Sequence, residues 1–412
     1  MSAPMAPSRS GSYLAAFFGV AVTIAFVAFP EAAFEASLAG LRLWLDVVLP
    51  ALLPFFAMSE ILMGLGVIHA VGVLLEPLMR PVFRIPGVGG FAVAMGLASG
   101  YPLGAKISGR IRRDGLCTRE EGERLVAFAN TADPLFMAGA VAVGMFGQVE
   151  LGAVLALAHY IAAVLVGFAM RFHAGGRMAA QSGAPQGGLF RRALDALVRA
   201  RQSDARPFGQ LIRDAVTESV NAMLFVGGCI MMFSVLIRVL GDAGLIGTLA
   251  AAAGRLLPWA GLDPDLALAL IKGAFEITIG AQEASQAAAP LLHRAMAASF
   301  ITGWSGFSVH AQVAAMVHGT DIRIGPYLLA RLGHGILAAA ATGLLMPLME
   351  SRWTAAETAA AAGAAAAGSA GFMPFLQVWG SVTVMGALLL AAMLAASLVL
   401  HACRRVVIIR IR

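Results

Sequence analysis

Several apolar stretches of this chain are long enough to cross a lipid bilayer, and this feature restricts the fold more than any other. A membrane-spanning helix needs about 20 mostly apolar residues. Charged residues make up only 13% of the 412 residues, whereas hydrophobic residues make up 59%. Because an average soluble domain is about 25% charged, this chain has too little charge to cover a soluble body of its length. The sequence therefore predicts an all-α, polytopic membrane protein.

The net charge of +6 comes mostly from arginines in a few polar connections. The longest connection is 171–213, and shorter ones surround Arg80 and Arg110. Basic connections beside membrane spans mark the cytoplasmic side. We therefore expect a multi-pass protein of the cell membrane with the linker and both termini in the cytoplasm, and with Glu150 and the segment 354–371 outside. Such charge placement predicts the lipid bilayer as a partner and no nucleic acid.

Two stretches of the chain follow the same order of elements. Each has a span, an amphipathic helix, two half-length helices joined by a break, a broken span and an intact span. Half-length helices joined at a break are typical of re-entrant hairpins. Because each stretch would cross the membrane an odd number of times, the second is expected to be inverted relative to the first. The predicted divisions are an N-terminal span and outer loop (1–42), a first repeat (43–172), an Arg-rich cytoplasmic linker (173–215), a second repeat (216–349), and an Ala-rich loop with a last span and a basic tail (350–412).

The helix breaks are expected at corresponding places in the two repeats. In the first repeat they fall at 99–102 and 130–134. In the second repeat a short helix 266–280 continues into 281–293, and a later break covers 303–306. Residues 118–121 have the sequence Thr-Arg-Glu-Glu, a capping box that predicts the start of a helix.

The breaks are also where a solute is expected to bind. A broken helix persists in hydrocarbon only where protein or water meets the freed backbone groups. Half-helix N-termini direct partial positive charge toward a ligand, and Lys106 follows the first break by one turn. Glu60, Lys272 and Glu276 are further candidates because ionisable residues in spans are unfavourable. The predicted substrate-binding residues are Ser99, Gly100, Tyr101, Pro102, Lys106, Asn130, Asp133, Glu276, Thr278, Gln282, Glu283, Ser305, Ser308 and Gln312.

Some of these positions also fit a packing role. Glycines 96, 100 and 104 recur every four residues, which is a spacing used in close helix packing. Trp304 fits an anchor at the membrane interface. His159 and His334, each in the intact span of its repeat, are interpreted as hydrogen-bonded packing residues.

Enzyme signatures are absent from the sequence. It contains no His-Glu-x-x-His pattern and no complete phosphate-binding loop. Cys117, Cys229 and Cys403 are far apart in the sequence, which predicts neither a disulfide framework nor a zinc site. We therefore expect no catalytic residues, no metal and no cofactor.

Several motifs resemble the sporulation integral membrane protein YlbJ family. They cover most of 43–349 and lie at 75–81, 86–87, 96–106, 132–136, 276–280 and 303–312. This resemblance implies paired nucleoside-transporter gate domains and transport of dipicolinic acid from the mother cell toward the forespore. It also implies a location in the mother-cell-derived membrane around the forespore. The family pattern has Asn where this chain has Asp133.

The residues and the resemblance together predict a membrane transporter that moves a small anionic solute by alternating access at a midplane site. Dipicolinic acid is the solute that the resemblance implies. Two alternatives stay open: an ion-coupled transporter of the nucleoside type, and a non-transporting scaffold of a sporulation membrane complex. A scaffold would not need polar groups at mid-membrane depth. The sequence indicates no particular oligomeric state.

Overall fold

Every regular element in the described residues is a helix, which confirms the predicted all-α class. The structure is a computed structural model, and it describes residues 9–176, 188–364 and 391–402. The last predicted span begins in the segment 365–390 and therefore lies partly outside the described residues. The C-terminal basic tail, 404–412, lies outside them altogether.

The first half of the chain contains the first predicted hairpin and the first broken span. Hairpin 1 consists of the helices Gly89–Ser99 and Leu103–Arg113, and the helix Arg119–Ala129 is continued after a break by a π-helix, Leu135–Met145. The helices of this half are α1 (Arg9–Ala28), α2 (Pro30–Leu43), α3 (Leu49–Gly64), α4 (Val67–Phe83), α5 (Gly89–Ser99), α6 (Leu103–Arg113), α7 (Arg119–Ala129) and α8 (Leu151–Met170).

The second half repeats this order after a helical linker. Helices α12 and α13 form hairpin 2, and α14 and α15 form the second broken span. The helices are α9 (Leu189–Asp204), α10 (Phe208–Asp242), α11 (Leu245–Gly254), α12 (Ala267–Phe275), α13 (Ile277–Gln286), α14 (Leu291–Trp304), α15 (Gly306–Met316), α16 (Ile324–Ala364) and α17 (Ala391–Ala402).

Three described helices are long and apolar enough to cross a membrane on their own: α8, α10 and the part of α16 up to Met349. Two sharply bent pairs raise this number to five if each pair is one span. The first pair joins Val22–Ala28 to Pro30–Asp46 at 104°, and the second joins Phe56–Gly64 to Val67–Phe83 at 86°. The two broken spans and the last span, which the sequence also predicts to cross, consist of shorter described helices and are not in this count.

The intact spans of the two repeats pack against each other at the centre. Helix α8 contacts α16, and each broken span contacts both of them: α7 lies on α8 and α16, and α14 lies on α16 and α8. His159 on α8 and His334 on α16 meet with ring centroids 4.3 Å apart. The broken helices of both repeats therefore surround one central pair of intact helices.

Local sequence explains where the helices begin and end. Thr118 caps α7 through the predicted capping box, in which its hydroxyl accepts from the Glu121 N–H and the Glu121 carboxylate accepts from the Thr118 N–H. Glycines with positive φ end or begin helices at 66, 115 and 244. Helix α16 continues to residue 364 and so includes the start of the Ala-rich segment, in line with the high helix propensity of alanine.

The break in hairpin 2 lies earlier than expected. A helix over 266–280 continuing into 281–293 is wrong, because α12 ends at Phe275 and α13 begins at Ile277. Glu276 between them has extended backbone angles (φ −144°, ψ 129°), and its carboxylate accepts a hydrogen bond from the Ile279 N–H at 2.8 Å. A glutamate side chain caps this helix, a role that the sequence analysis had not assigned to it.

Candidate functional site

The tip of hairpin 1 packs directly onto the break of the first broken span. Gly100 at this tip has φ +76° and ψ −161°, a conformation that is almost restricted to glycine. A Cβ at Gly100 would lie 2.4 Å from Oδ2 of Asp133. The absence of a side chain at Gly100 therefore allows the two breaks of the first repeat to touch.

Tyr101 joins the same tip to the second repeat. Its hydroxyl donates to the Thr302 carbonyl on α14 at 3.0 Å and accepts a hydrogen bond from Nη2 of Arg331 on α16. The guanidinium carbon of Arg331 lies 5.3 Å from the centre of the Tyr101 ring. The predicted binding residue Tyr101 is therefore a link between the repeats.

The break after α7 is satisfied by groups from both repeats. Nδ2 of Asn130 donates to the Tyr327 hydroxyl at 3.1 Å, and the Asn130 carbonyl accepts from Nη1 of Arg331 at 3.1 Å. The Asp133 carboxylate accepts from the Phe136 N–H at 2.8 Å and so caps the helix that follows. Asn130 and Asp133 thus lie where the sequence placed them, at a polar junction inside apolar helices.

Arg331 was not among the predicted binding residues, although it lies at the centre of this junction. It is fully buried, and its Nη1 contacts Nδ1 of His334 at 2.8 Å in addition to the Asn130 carbonyl. The rule that selected Glu60 and Lys272, that ionisable residues in spans mark functional sites, also selects Arg331 in the apolar run 324–349. Applying this rule to every charged residue would have found it.

The two central histidines are hydrogen-bonded packing residues, as the sequence suggested. Nε2 of His159 accepts from the Ala132 N–H at 3.1 Å, and Nε2 of His334 contacts the His159 carbonyl at 3.0 Å. Because Nε2 of His334 faces a carbonyl, it carries the proton, and Nδ1 is left to accept from Arg331. His334 therefore orients the Arg331 side chain.

The break between α14 and α15 is a single residue, Ser305, which is buried and has φ +73°. Its hydroxyl donates to the Trp304 carbonyl at 2.5 Å. Ser308 and Gln312 are buried and contact each other at 3.4 Å. Ser305, Ser308 and Gln312, the three predicted residues of this break, therefore form a second polar face near the same junction. The neighbouring Trp304 donates to the Ala274 carbonyl of α12 at 3.2 Å.

The predicted residues of hairpin 2 make their contacts within the hairpin. Glu276 caps α13, and the Thr278 side chain also lies against its carboxylate. Nζ of Lys272 lies 2.6 Å from the Glu283 carboxylate. The Gln282 carbonyl accepts from the Ser285 hydroxyl at 2.7 Å.

Lys106 forms an ion pair with Glu60, which lies on α3. The two charged groups are 2.7 Å apart and only 12% and 11% exposed, and Nζ of Lys106 lies 5.3 Å from the Phe56 ring centre. Lys106 and Glu276 thus belong to separate sets of contacts. Glu60 also lines a cavity of ≈ 470 Å³ together with Arg110 and residues of the linker region.

A cluster of charged contacts joins the repeats at the side that the sequence assigns to the cytoplasm. Nε and Nη2 of Arg112 contact the two carboxylate oxygens of Asp321 at 2.7 and 2.8 Å. This hydrogen-bonded guanidinium lowers the pKa of Asp321 below its ordinary value. Arg323 contacts the buried Glu123 carboxylate in the same way, at 2.7 and 3.0 Å. The loop before α16 is therefore held to the first repeat by two bidentate pairs.

Metal-binding geometry is not found in the described ranges. No group of three or more His, Cys, Asp or Glu residues in 9–176, 188–364 and 391–402 could hold a metal ion. The junction offers hydrogen-bonding groups, the positive charge of Arg331 and the Asp133 carboxylate, which caps a helix.

Comparison with known proteins gives the family. The sporulation integral membrane protein YlbJ of Bacillus subtilis (strain 168) is 45% identical to this chain over 350 residues, which are 84% of this chain and 85% of that protein. This chain belongs to the YlbJ family. A family model described as "Gate: Nucleoside recognition" matches residues 45–180, which include hairpin 1 and the first broken span.

One solved structure is similar over much of the chain. It is titled "Structure of CNTnw in an inward-facing substrate-bound state", and the match covers 82% of this chain and 87% of that one, with 13% identity and a TM-score of 0.35. A TM-score of that size does not establish a shared fold. The YlbJ-family membership rests on the sequence comparison.

Proposed function

We propose that this YlbJ-family protein transports a small anionic solute, dipicolinic acid, across the membrane by alternating access. The observation that carries this proposal is the junction of three interrupted helices: the tip of hairpin 1, the break after α7 and the break at Ser305. Tyr327 and Arg331, one turn apart on α16, make hydrogen bonds to residues of the first two of these breaks. A membrane scaffold gains nothing from interrupted helices and a buried cation among membrane-spanning helices, because both are unfavourable in hydrocarbon.

The charge of the junction supports an anion. Arg331 contributes a positive charge inside the protein, whereas the Asp133 carboxylate at the same junction is engaged as the cap of the following helix. Dipicolinate is a planar aromatic dianion, so Tyr101 could stack on its ring. The other predicted residues, including Glu276, Thr278, Gln282 and Glu283, stay predictions for this site.

The charge also suggests a driving force. A dianion leaving a negative cytoplasm gains ~2.3 kcal/mol per charge per 100 mV, so about 4–5 kcal/mol in all. That energy would sustain a gradient of roughly a thousandfold. An electrogenic facilitator would therefore need no coupling ion for outward movement, and we propose this mechanism.

A nucleoside is the second candidate substrate, because the matching family model is described by nucleoside recognition. Uptake of labelled dipicolinate and labelled uridine into proteoliposomes, with the voltage set by potassium and valinomycin, compares the two. We expect dipicolinate flux that changes steeply with voltage and needs neither sodium nor a proton gradient. Sodium-dependent uridine flux would contradict the proposal in favour of a coupled nucleoside transporter, and flux of neither solute would favour the scaffold.

A further inference from the structure

Arg331 is buried without an ion pair to a described residue. Its contacts there are the Asn130 carbonyl, the His334 ring and the Tyr101 hydroxyl, all of them neutral. Charged groups are rarely fully buried without a partner of opposite charge. Arg124, another large and fully buried arginine, lies on α7 beside glutamates whose negative charge acts on it. Arg331 therefore carries a charge for which a mobile anion is the fitting partner.

Several polar atoms of Arg331 and of the breaks in the first repeat are also unpaired. Ser99 Oγ, Asn130 Oδ1, Thr131 Oγ1 and Arg331 Nε are all buried and have no hydrogen-bond partner among the described residues. Leaving buried donors and acceptors unpaired is unfavourable, and each such group needs an explanation. Three of them lie in the breaks of hairpin 1 and the first broken span, so one ligand at this junction could pair with several.

The contacts of Arg331 leave one edge of its guanidinium for such a ligand. Nη1 is occupied by the Asn130 carbonyl at 3.1 Å and by Nδ1 of His334 at 2.8 Å. Nε has no partner, and Nη2 contacts only the Tyr101 hydroxyl among the described residues. Nε and Nη2 are adjacent donors that match the two oxygens of a carboxylate.

We infer that the Nε–Nη2 edge of Arg331 binds a carboxylate group of the transported solute, and that this carboxylate displaces the Tyr101 hydroxyl. The inference rests on the proposed function and adds to it the group that recognises the anion. Lys106, the cation that the sequence favoured, is already neutralised by Glu60 at 2.7 Å. Ser99 and Thr131 then provide hydroxyl donors for the other polar groups of the solute.

Displacement of Tyr101 connects binding to movement. The Tyr101 hydroxyl joins the tip of hairpin 1 to Thr302 on α14 and to Arg331 on α16. When a carboxylate takes its place on Nη2, the tip loses its bond to α16. An occupied site thus weakens a link between the two repeats, which an alternating-access mechanism requires of its substrate.

Equilibrium binding to the purified full-length protein in lipid nanodiscs tests the inference. The probes are labelled dipicolinate, with picolinate and the neutral pyridine-2,6-dicarboxamide as competitors. We expect Arg331→Gln to weaken dipicolinate binding about 100-fold, the effect of removing one partner of a buried charged hydrogen bond. Arg331→Lys keeps the charge but not the paired donors and should weaken binding at least about tenfold. Arg238→Gln, which removes an exposed arginine of α10, is the matched control and should leave binding unchanged.

Two further readouts do not depend on the stability of the Arg331 variants. The dicarboxamide should fail to compete with dipicolinate on the unmodified protein, whereas picolinate should compete. Tyr101→Phe keeps the ring but removes the hydroxyl that occupies Nη2, so it should tighten dipicolinate binding about threefold or more, a gain of under 1 kcal/mol.

The outcomes separate failure of the Arg331 assignment from failure of the proposed function. Dipicolinate binding that Arg331→Gln and Arg331→Lys leave unchanged, or equal competition by the dicarboxamide, overturns the Arg331 assignment while the proposed function stands. Unchanged or weaker binding by Tyr101→Phe overturns the displacement. If the unmodified protein binds uridine but not dipicolinate, the proposed substrate fails and the inference fails with it.

Discussion

The two hairpins share a layout but make their polar contacts in different places. In hairpin 1, Tyr101 contacts α14 and α16, Lys106 pairs with α3, and Gly100 packs on the next break. In hairpin 2, Glu276 caps its own second helix and Lys272 pairs with Glu283 on that helix. Hairpin 1 is thus tied to its surroundings on three sides, whereas the charged groups of hairpin 2 are satisfied inside it.

We propose that this difference assigns solute recognition to one hairpin and movement to the other. A hairpin whose charged side chains pair with each other can shift as one body without leaving those charges unpaired. A hairpin that makes hydrogen bonds to both repeats can move relative to them when a ligand replaces one of those hydrogen bonds. From this comparison we propose that hairpin 1 recognises the solute and that hairpin 2 moves more independently, and the following variants test this proposal.

The largest expected effect is on the ion pair of hairpin 1. Lys106→Met leaves the Glu60 carboxylate unpaired at a site where both groups are nearly buried, so we expect a loss of about 3 kcal/mol in unfolding free energy. Lys272→Met is the matched variant in hairpin 2. Its pair is 25% and 28% exposed, so the loss should stay below about 1 kcal/mol. Thermal unfolding of the detergent-solubilised proteins measures both.

A double variant separates structure from recognition. Lys106→Met with Glu60→Gln removes both charges, and replacing a buried pair by uncharged groups of similar volume is often nearly neutral. We expect it to regain stability and to transport dipicolinate. A stable double variant without transport would return Lys106 to the binding site that the sequence predicted.

Much of this fold could be predicted from the sequence because its determinants are local. The Gly-Tyr-Pro break at 100–102 and the capping box at 118–121 act on their own neighbours, and both lie where they were expected. The break of hairpin 2 was misplaced at Gly280, which lies inside α13 and serves close packing: a Cβ there would lie 2.2 Å from Cα of Gly273.

The candidate site was predicted only in part, because its centre depends on contacts between distant segments. Asn130 and Tyr101 were found from the breaks in which they lie. The contacts of Arg331 with these two residues span 201 and 230 positions of the sequence. Likewise, Glu60 neutralises the charge of Lys106, so this charge is not available to a ligand. The sequence around either residue does not indicate this pairing.

Corresponding glycines sharpen the comparison of the hairpins. A Cβ at Gly104 would lie 2.1 Å from the Ala129 carbonyl oxygen at the break of α7, and one at Gly280 would meet α12 of its own hairpin. Both Gly→Ala changes force backbone apart, so we expect each to lower the unfolding free energy by about 2 kcal/mol. Gly333→Ala on α16 meets nothing within 4 Å and should be neutral or slightly stabilising.

Equilibrium binding of dipicolinate distinguishes the two glycine variants, which are expected to lose equal stability. Gly104→Ala should also weaken dipicolinate binding, because it displaces the break that carries Asn130. Gly280→Ala should leave equilibrium binding unchanged in the folded fraction. Equal loss of binding in both variants would break the proposed division between the hairpins.

The smallest expected effect concerns the cap of hairpin 2. Glu276→Ala removes the acceptor of the Ile279 N–H, and loss of a helix cap costs about 1 kcal/mol. Glu276→Gln keeps a side-chain oxygen at the same reach, so it should retain most of this stability. Thr118→Ala removes the cap of α7 and is the matched control for a cap outside hairpin 2.

If Glu276 acts only as a cap, Glu276→Gln transports dipicolinate like the unmodified protein, since the amide oxygen still accepts from the Ile279 N–H. Wild-type melting temperature with lost transport would instead show that the negative charge of Glu276 acts on the solute or on a coupling cation. Hairpin 2 would then share in recognition, as the sequence analysis first proposed.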